Sequence, residues 1–207
     1  MSLWACARFG AALWVACVGA SAASGLSEPV QQLHEWALAS RDNGTEPFVV
    51  LDKKGARLWL FDGQGQVLGN TPVLLGSAKG DASVPGIGER PIEKILPHER
   101  TTPAGRFYAE AGENLEGEDI FWVDYDAAVS MHRVRARVPA ERRLQRLASP
   151  TPADNRISFG CINVPTAFYD NVLKPTLIGR RAVVYVLPET MPMLSLFTRL
   201  TASSDKP

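Results

Sequence analysis

Arg156-Ile157-Ser158-Phe159-Gly160-Cys161-Ile162-Asn163 is the stretch on which the reading of this chain turns. Of the three cysteines, Cys6 and Cys17 fall in an N-terminal segment that reads as a removable leader, which leaves Cys161 alone in the mature protein. A lone cysteine in an exported protein has no internal disulfide partner, so it is either an inert buried thiol or a reactive one. The neighbouring residues favour reactivity. Gly160 lets backbone approach a ligand closely, and a tight turn there would aim the amides of Gly160 and Cys161 at a developing oxyanion. Val164-Pro165-Thr166 then reads as a helix start, whose unpaired N–H groups would favour a thiolate just upstream.

The chain has 207 residues, enough for one domain with a proper core plus short extensions. Its 22 basic and 22 acidic residues balance, which argues against a nucleic-acid partner. Residues 1–22 carry Arg8, an uncharged apolar run from Phe9 to Val18 and the small-residue site Ala20-Ser21-Ala22, the pattern of a signal peptide. That apolar run is too short to span a bilayer comfortably, and no later stretch could, so no stable membrane span is expected. The expected location is the periplasm or cell envelope. A lipid-modified Cys17 is the competing reading, disfavoured by Trp14 three positions before it.

Leu26, Val30, Leu33, Trp36 and Ala37 recur at helical spacing and predict an amphipathic helix in an N-terminal extension, residues 23–45. His34 lies off that stripe and reads as a solvated surface histidine. Phe48 to Leu51, Arg57 to Phe61 and Gln66 to Leu75 read as an antiparallel meander joined by Lys53-Lys54-Gly55 and Asp62-Gly63-Gln64-Gly65, with Trp59 and Phe61 packing on its faces. Gly76 to Thr102 is rich in glycine and proline and predicts a long ordered loop or lid bordering a groove. His98 within it reads as solvated. Two more strands, Ile120 to Val123 and Ala127 to Met131, flank an Asp124-Tyr125-Asp126 turn. Glu116, Glu118 and Asp119 just before them read as solvated acids, and no metal site is assigned. Beyond His132 come Arg133, Arg135, Arg137, Arg142, Arg143 and Arg146, with a helix from Pro139 to Leu147 turning Leu144 and Leu147 inward. This basic face either holds the carboxylates of a ligand or is simply solvated. A helix from Pro165 to Leu173 presents Phe168, Val172 and Leu173 inward, and Arg181 to Leu187 closes the sheet. Met191 to Leu200 reads as a short packed helix within a tail, residues 189–207.

Ser158-Phe159-Gly160-Cys161-Ile162-Asn163 resembles the catalytic motif of the L,D-transpeptidase family, a Ser/Thr-His-Gly-Cys-apolar-Asn run preceded by an upstream histidine. Phe159 stands where the family usually has histidine. His132 in Val129-Ser130-Met131-His132 matches the upstream histidine. Arg133 replaces a frequent glycine, and 25 residues, Arg133 to Ile157, separate His132 from Ser158, more than is usual. Thr102-Pro103-Ala104-Gly105-Arg106-Phe107 resembles a second signature, Thr-Pro-x-Gly-x-Phe, in the order the family requires. The resemblance covers Phe48 to Leu187. It implies a mainly β domain, residues 46–188, with sandwich-like mixed sheets and peripheral helices.

It also implies chemistry. Cys161 would be the nucleophile and His132 the general base, its ring oriented by the Arg133 carbonyl. Ser158, Gly160 and Asn163 would complete the motif and oxyanion site. Arg156, Phe159 and Arg133 are candidate substrate contacts. The implied substrate is a peptidoglycan stem peptide, cut before its terminal D-alanine and joined through a thioester to an acceptor amine. Capture by water would make the same site an L,D-carboxypeptidase. A degenerate peptidoglycan-binding domain and an envelope scaffold paired through Cys161 remain the competing classes. The resemblance requires no cofactor and implies a carbapenem adduct on Cys161.

Overall fold

The computed structural model describes residues 25–193 together with 196 and 197. The predicted leader, with Cys6 and Cys17, lies outside these residues, as does half of the predicted helix over 191–200.

Helix α1, Glu28–Ser40, is stopped at Arg41, whose φ of 56° is left-handed backbone that ends a helix. Strands β1 (Phe48–Asp52), β2 (Arg57–Phe61) and β3 (Val67–Pro72) form the expected antiparallel meander. A two-residue strand β4 (Leu75–Gly76) leads into the loop, which is built on single 3₁₀ turns at Ile87–Glu89, Ile92–Lys94 and Pro97–Glu99. Strands β5 (Gly105–Glu113), β6 (Asp119–Asp124) and β7 (Val129–Arg133) follow. Helix α2 (Arg143–Leu147), β8 (Arg156–Ser158), β9 (Ile162–Val164), helices α3 (Thr166–Phe168) and α4 (Lys174–Leu177) and strand β10 (Ala182–Val186) complete the order.

Eight strands make one mixed sheet in the order β3-β2-β1-β10-β5-β6-β7-β9, and β4 pairs with β8 beside it. Strand β5 joins two halves: residues 105–109 pair with β10 and residues 110–113 with β6. Alternation along the strands divides the apolar side chains between two cores. Val49, Leu51, Leu58, Leu60 and Val184 share one core with Phe121, Met131, Ile162, Val164 and Tyr169, which unites both halves of the sheet. Phe48, Val50, Trp59, Phe61, Val183 and Tyr185 face the other way and are covered by Val30, Leu33 and Ala37 of α1. The result is the predicted mainly β, sandwich-like architecture with helices at its periphery.

Several expectations need correction. Helix α1 is a layer of the domain rather than an extension, because burial of Val30 and Leu33 stabilises it by roughly 1.5–3 kcal/mol each. His34 is half-buried rather than solvated: its Nε2 lies 2.8 Å from the Gly65 carbonyl and its ring 4.9 Å from that of Phe61. The predicted helix over 139–147 is broken at Arg142, with φ 50°, which turns Leu144 outward to 55% exposure while Leu147 stays buried. After Pro165 the helical segment runs on through a π-turn, Tyr169–Leu173, and buries Tyr169 as well as Leu173. The start of the tail is tied to the domain, with the Glu189, Thr190 and Met191 amides all donating to the Asp81 carboxylate.

Candidate active site

Strands β7 and β9 are parallel neighbours, with Met131 opposite Ile162 and His132 opposite Asn163. With a two-residue period, Met131, Ile162 and Val164 enter the core, and Ser130, His132, Cys161 and Asn163 share the opposite face. Sequence order alone puts His132 and Cys161 far apart. Register brings them together.

The ring of His132 is fixed by its Nδ1, 2.8 Å from the Arg133 carbonyl. A carbonyl can only accept, so the neutral ring carries its proton on Nδ1 and leaves Nε2 as an acceptor. Cys161 is half-buried beside His132; its thiol donates to the Ala128 carbonyl at 3.5 Å and receives a hydrogen bond from the Ser130 hydroxyl at 3.7 Å. Burial pushes its thiol up, but the neighbouring His132 imidazole, together with the Ser130 amide and hydroxyl, outweighs this and holds it below its ordinary value. The predicted help from a helix N-terminus is not what lowers it. Strand β9 lies between Cys161 and the helix, and three extended residues cover roughly 10 Å, beyond the first-turn reach of a helix dipole.

The Cys161 turn is braced by two hydroxyls. The Ser158 hydroxyl donates to the Cys161 carbonyl at 2.6 Å and accepts the Gly160 amide at 3.1 Å. The Gly160 amide is therefore already committed and is not the free oxyanion donor expected from sequence. Thr102, fully buried, donates to the Gly160 carbonyl at 2.8 Å and accepts the Gly76 amide at 3.0 Å. This gives the Thr-Pro signature a physical role that its place in the chain order did not reveal. Gly160 has φ of 140°, and a Cβ there would stand 2.8 Å from the Thr101 carbonyl oxygen. Gly160→Ala should therefore lower stability by about 1–3 kcal/mol, read as a drop in melting temperature accompanied by slower alkylation of Cys161.

A cavity of about 290 Å³ opens over this face, lined by His132, Cys161, Asn163, Ser158, Phe159 and Arg143, with Ile92 from the long loop. The loop thus borders the cavity, as expected. Phe159 forms part of the wall, with the Arg100 guanidinium 4.0 Å from the centre of its ring. His98, exposed on the loop, is not among the lining residues.

Two candidate substrate contacts are placed elsewhere. Arg156 donates to Glu189 at 2.6 Å and to the Lys53 carbonyl at 2.8 Å, and it lines a separate cavity with Lys54 and Lys79. It is not among the residues lining the Cys161 cavity. The Arg133 guanidinium reaches Asp119 and Asp170 and lies 4.3 Å from the Tyr169 ring, so only its carbonyl serves the site. Arg135 and Arg137 pair with Glu116 and Glu118, which are therefore ion-paired rather than merely solvated. Among the described residues no cluster of three or more His, Cys, Asp or Glu side chains could hold a metal ion, and no helix is long and apolar enough to cross a membrane.

Neither a protein-family profile nor a curated protein matches the chain. Among solved structures it is similar to the catalytic domain of the Enterococcus faecium L,D-transpeptidase, at 18% identity and a TM-score of 0.41, over 69% of this chain and 98% of that one. It is also similar to Bdellovibrio bacteriovorus Bd1075, at 13% identity and a TM-score of 0.41, covering 77% of this chain and 55% of that one. A third is the helical cell shape determining protein Pgp2 of Campylobacter jejuni, at 12% identity and a TM-score of 0.44, covering 87% and 66%. The chain spans 50% of a longer Enterococcus faecium L,D-transpeptidase structure.

Proposed function

We propose that this chain is an exported, cysteine-dependent L,D-transpeptidase acting on peptidoglycan stem peptides in the cell envelope. The observation that carries the chemistry is that Cys161 and a His132 ring whose Nδ1 is tied to the Arg133 carbonyl line one cavity, set there by the register of β7 and β9. The substrate class rests on the resemblance of the two sequence signatures. In this reading residues 1–22 are the leader and residues 46–188 the catalytic part.

The His132 Nε2 takes the proton from the Cys161 thiol as sulfur attacks the amide carbonyl before the terminal D-alanine. The Cys161 amide is the oxyanion donor, since the Gly160 amide is already bonded to Ser158. Collapse of the tetrahedral adduct breaks the C–N bond, and His132 returns the proton to the leaving amine. An acceptor amine then attacks the thioester, giving its proton to His132 and restoring the thiol. Hydrolysis is the second reading. Arg135, Arg137, Val138 and Glu141 also line the cavity of about 290 Å³, a space that water enters more readily than a second stem.

The test is incubation with purified muropeptides followed by mass spectrometry. Cross-linked dimers that have lost D-alanine are the expected product, while shortened monomers alone would mean hydrolysis. Unchanged substrate together with a disulfide-linked dimer would instead identify a scaffold. Exposure to a carbapenem should add one adduct at Cys161, located by intact mass and peptide mapping.

A further inference from the structure

We propose that Arg143 is a positioning residue that locks the carboxamide of Asn163 so that its nitrogen, not its oxygen, meets Nε2 of His132. The inference rests on the Cys161–His132 reading above and extends it into the long segment between the two.

The geometry is built from both ends. The Asn163 backbone is pinned to Leu74 by amide–carbonyl bonds of 2.9 and 3.0 Å, leaving only its side-chain torsions to settle. The Arg143 Nη1 donates to Asn163 Oδ1 at 2.6 Å, and its Nε donates to Glu141 at 2.6 Å. Arg143 is only 14% exposed along its side chain, and Asn163 is 1% exposed. With Oδ1 held, Asn163 Nδ2 donates to the Cys161 carbonyl at 3.2 Å and lies 3.5 Å from His132 Nε2. Turning the carboxamide over would set Nδ2 against the guanidinium and Oδ1 against the Cys161 carbonyl, two like-for-like contacts.

The consequence concerns the proton. An oxygen facing Nε2 would favour a proton on that nitrogen, and such a ring cannot accept one from the thiol. A nitrogen there can only donate towards Nε2, which favours the ring with that nitrogen unprotonated, the form that takes the thiol proton when it gives up this long 3.5 Å contact. The charged and titratable groups facing His132 across the cavity are Cys161, Arg135, Arg137, Glu141 and Arg143. Only Arg143 among these arginines bonds to Asn163. The segment that lengthens the His132-to-Cys161 spacing thus supplies a part of the site.

The test compares Arg143→Met and Arg143→Lys with the unaltered protein. Acylation by a carbapenem is resolved into a noncovalent constant and a first-order rate, and the Asn163 side-chain amide is followed by ¹⁵N NMR, assigned through its absence in Asn163→Ala. Arg143→Met should lower the first-order rate roughly tenfold or more, leave the noncovalent constant within about twofold and shift the Asn163 amide signal; Arg143→Lys should recover most of the rate. An unchanged Asn163 signal with an unchanged rate overturns the proposal. So does a loss that lysine does not restore and that follows a fall in melting temperature. If instead the unaltered protein is never acylated while the Asn163 signal still responds to Arg143→Met, the positioning stands and the acyl-transfer reading falls.

Discussion

His132→Ala should lower the rate of Cys161 acylation by roughly 10²–10⁴ at neutral pH, the usual contribution of a positioned general base. Two distinct losses combine. The thiol loses the imidazole that helps to hold it below its ordinary value, and the leaving amine loses its proton donor. The pH dependence of iodoacetamide alkylation separates them. In the unaltered protein, reactivity should rise with pH at values below the ordinary thiol pKa of about 8.5, and in His132→Ala that rise should move up towards it or beyond, because burial still acts on the thiol. A variant that is acylated at the unaltered rate would remove His132 from the mechanism. Cys161→Ala should abolish the adduct altogether, which fixes the zero of the experiment.

The second large effect is structural. Asp81→Ala should cost about 3–5 kcal/mol, the range for removing one partner of a buried ion pair. The Lys53 ammonium is fully buried, 2.8 Å from Asp81 and 3.7 Å from Glu189, and it also donates to the Gly80 and Thr102 carbonyls at 2.6 and 2.9 Å. Removing Asp81 leaves that charge with a single, longer carboxylate contact and frees three backbone amides of residues 189–191. Burial pushes the Asp81 carboxyl up, but Lys53, the Thr190 hydroxyl and the two backbone amides outweigh it and hold it well below the carboxylate range. Its stabilisation is therefore complete above the unfolded-state pKa of about 3.9 and is lost as pH falls through the lower folded value. Urea melts at pH 7 and at stepwise lower pH should show the gap between Asp81→Ala and the unaltered protein closing with acid. A gap that stays constant would exclude the ionised Asp81 as its source. Replacing both partners, Lys53→Met with Asp81→Leu, should recover much of the loss, since an apolar pair leaves no stranded charge.

Much of the fold was legible because it is written in strand alternation. β1, β2 and β10 are nearly continuous apolar runs, since both faces of that part of the sheet are covered. The pairing of β10 with β1 was not legible, because parallel pairing across most of the chain leaves no local mark. At the site, Cys161, His132 and the Arg133 carbonyl could be expected from the motif. The roles of Thr102 and Arg143 could not. Each acts through one hydrogen bond to a residue distant in sequence, and a buried threonine or a bonded arginine looks in sequence like any other. Arg156 failed as a substrate contact for a related reason. Closeness in sequence to Cys161 says nothing about its partners, which are Glu189 and the Lys53 carbonyl.

The central place of β10 has a consequence for how the molecule comes into being. It is the last strand in chain order among the described residues, yet it lies between β1 and β5, so neither half of the sheet can join the other until it arrives. A ribosome still short of residue 182 holds a polypeptide whose interior cannot close. Contacts between distant segments form slowly, so closure of the sheet is the late step of folding.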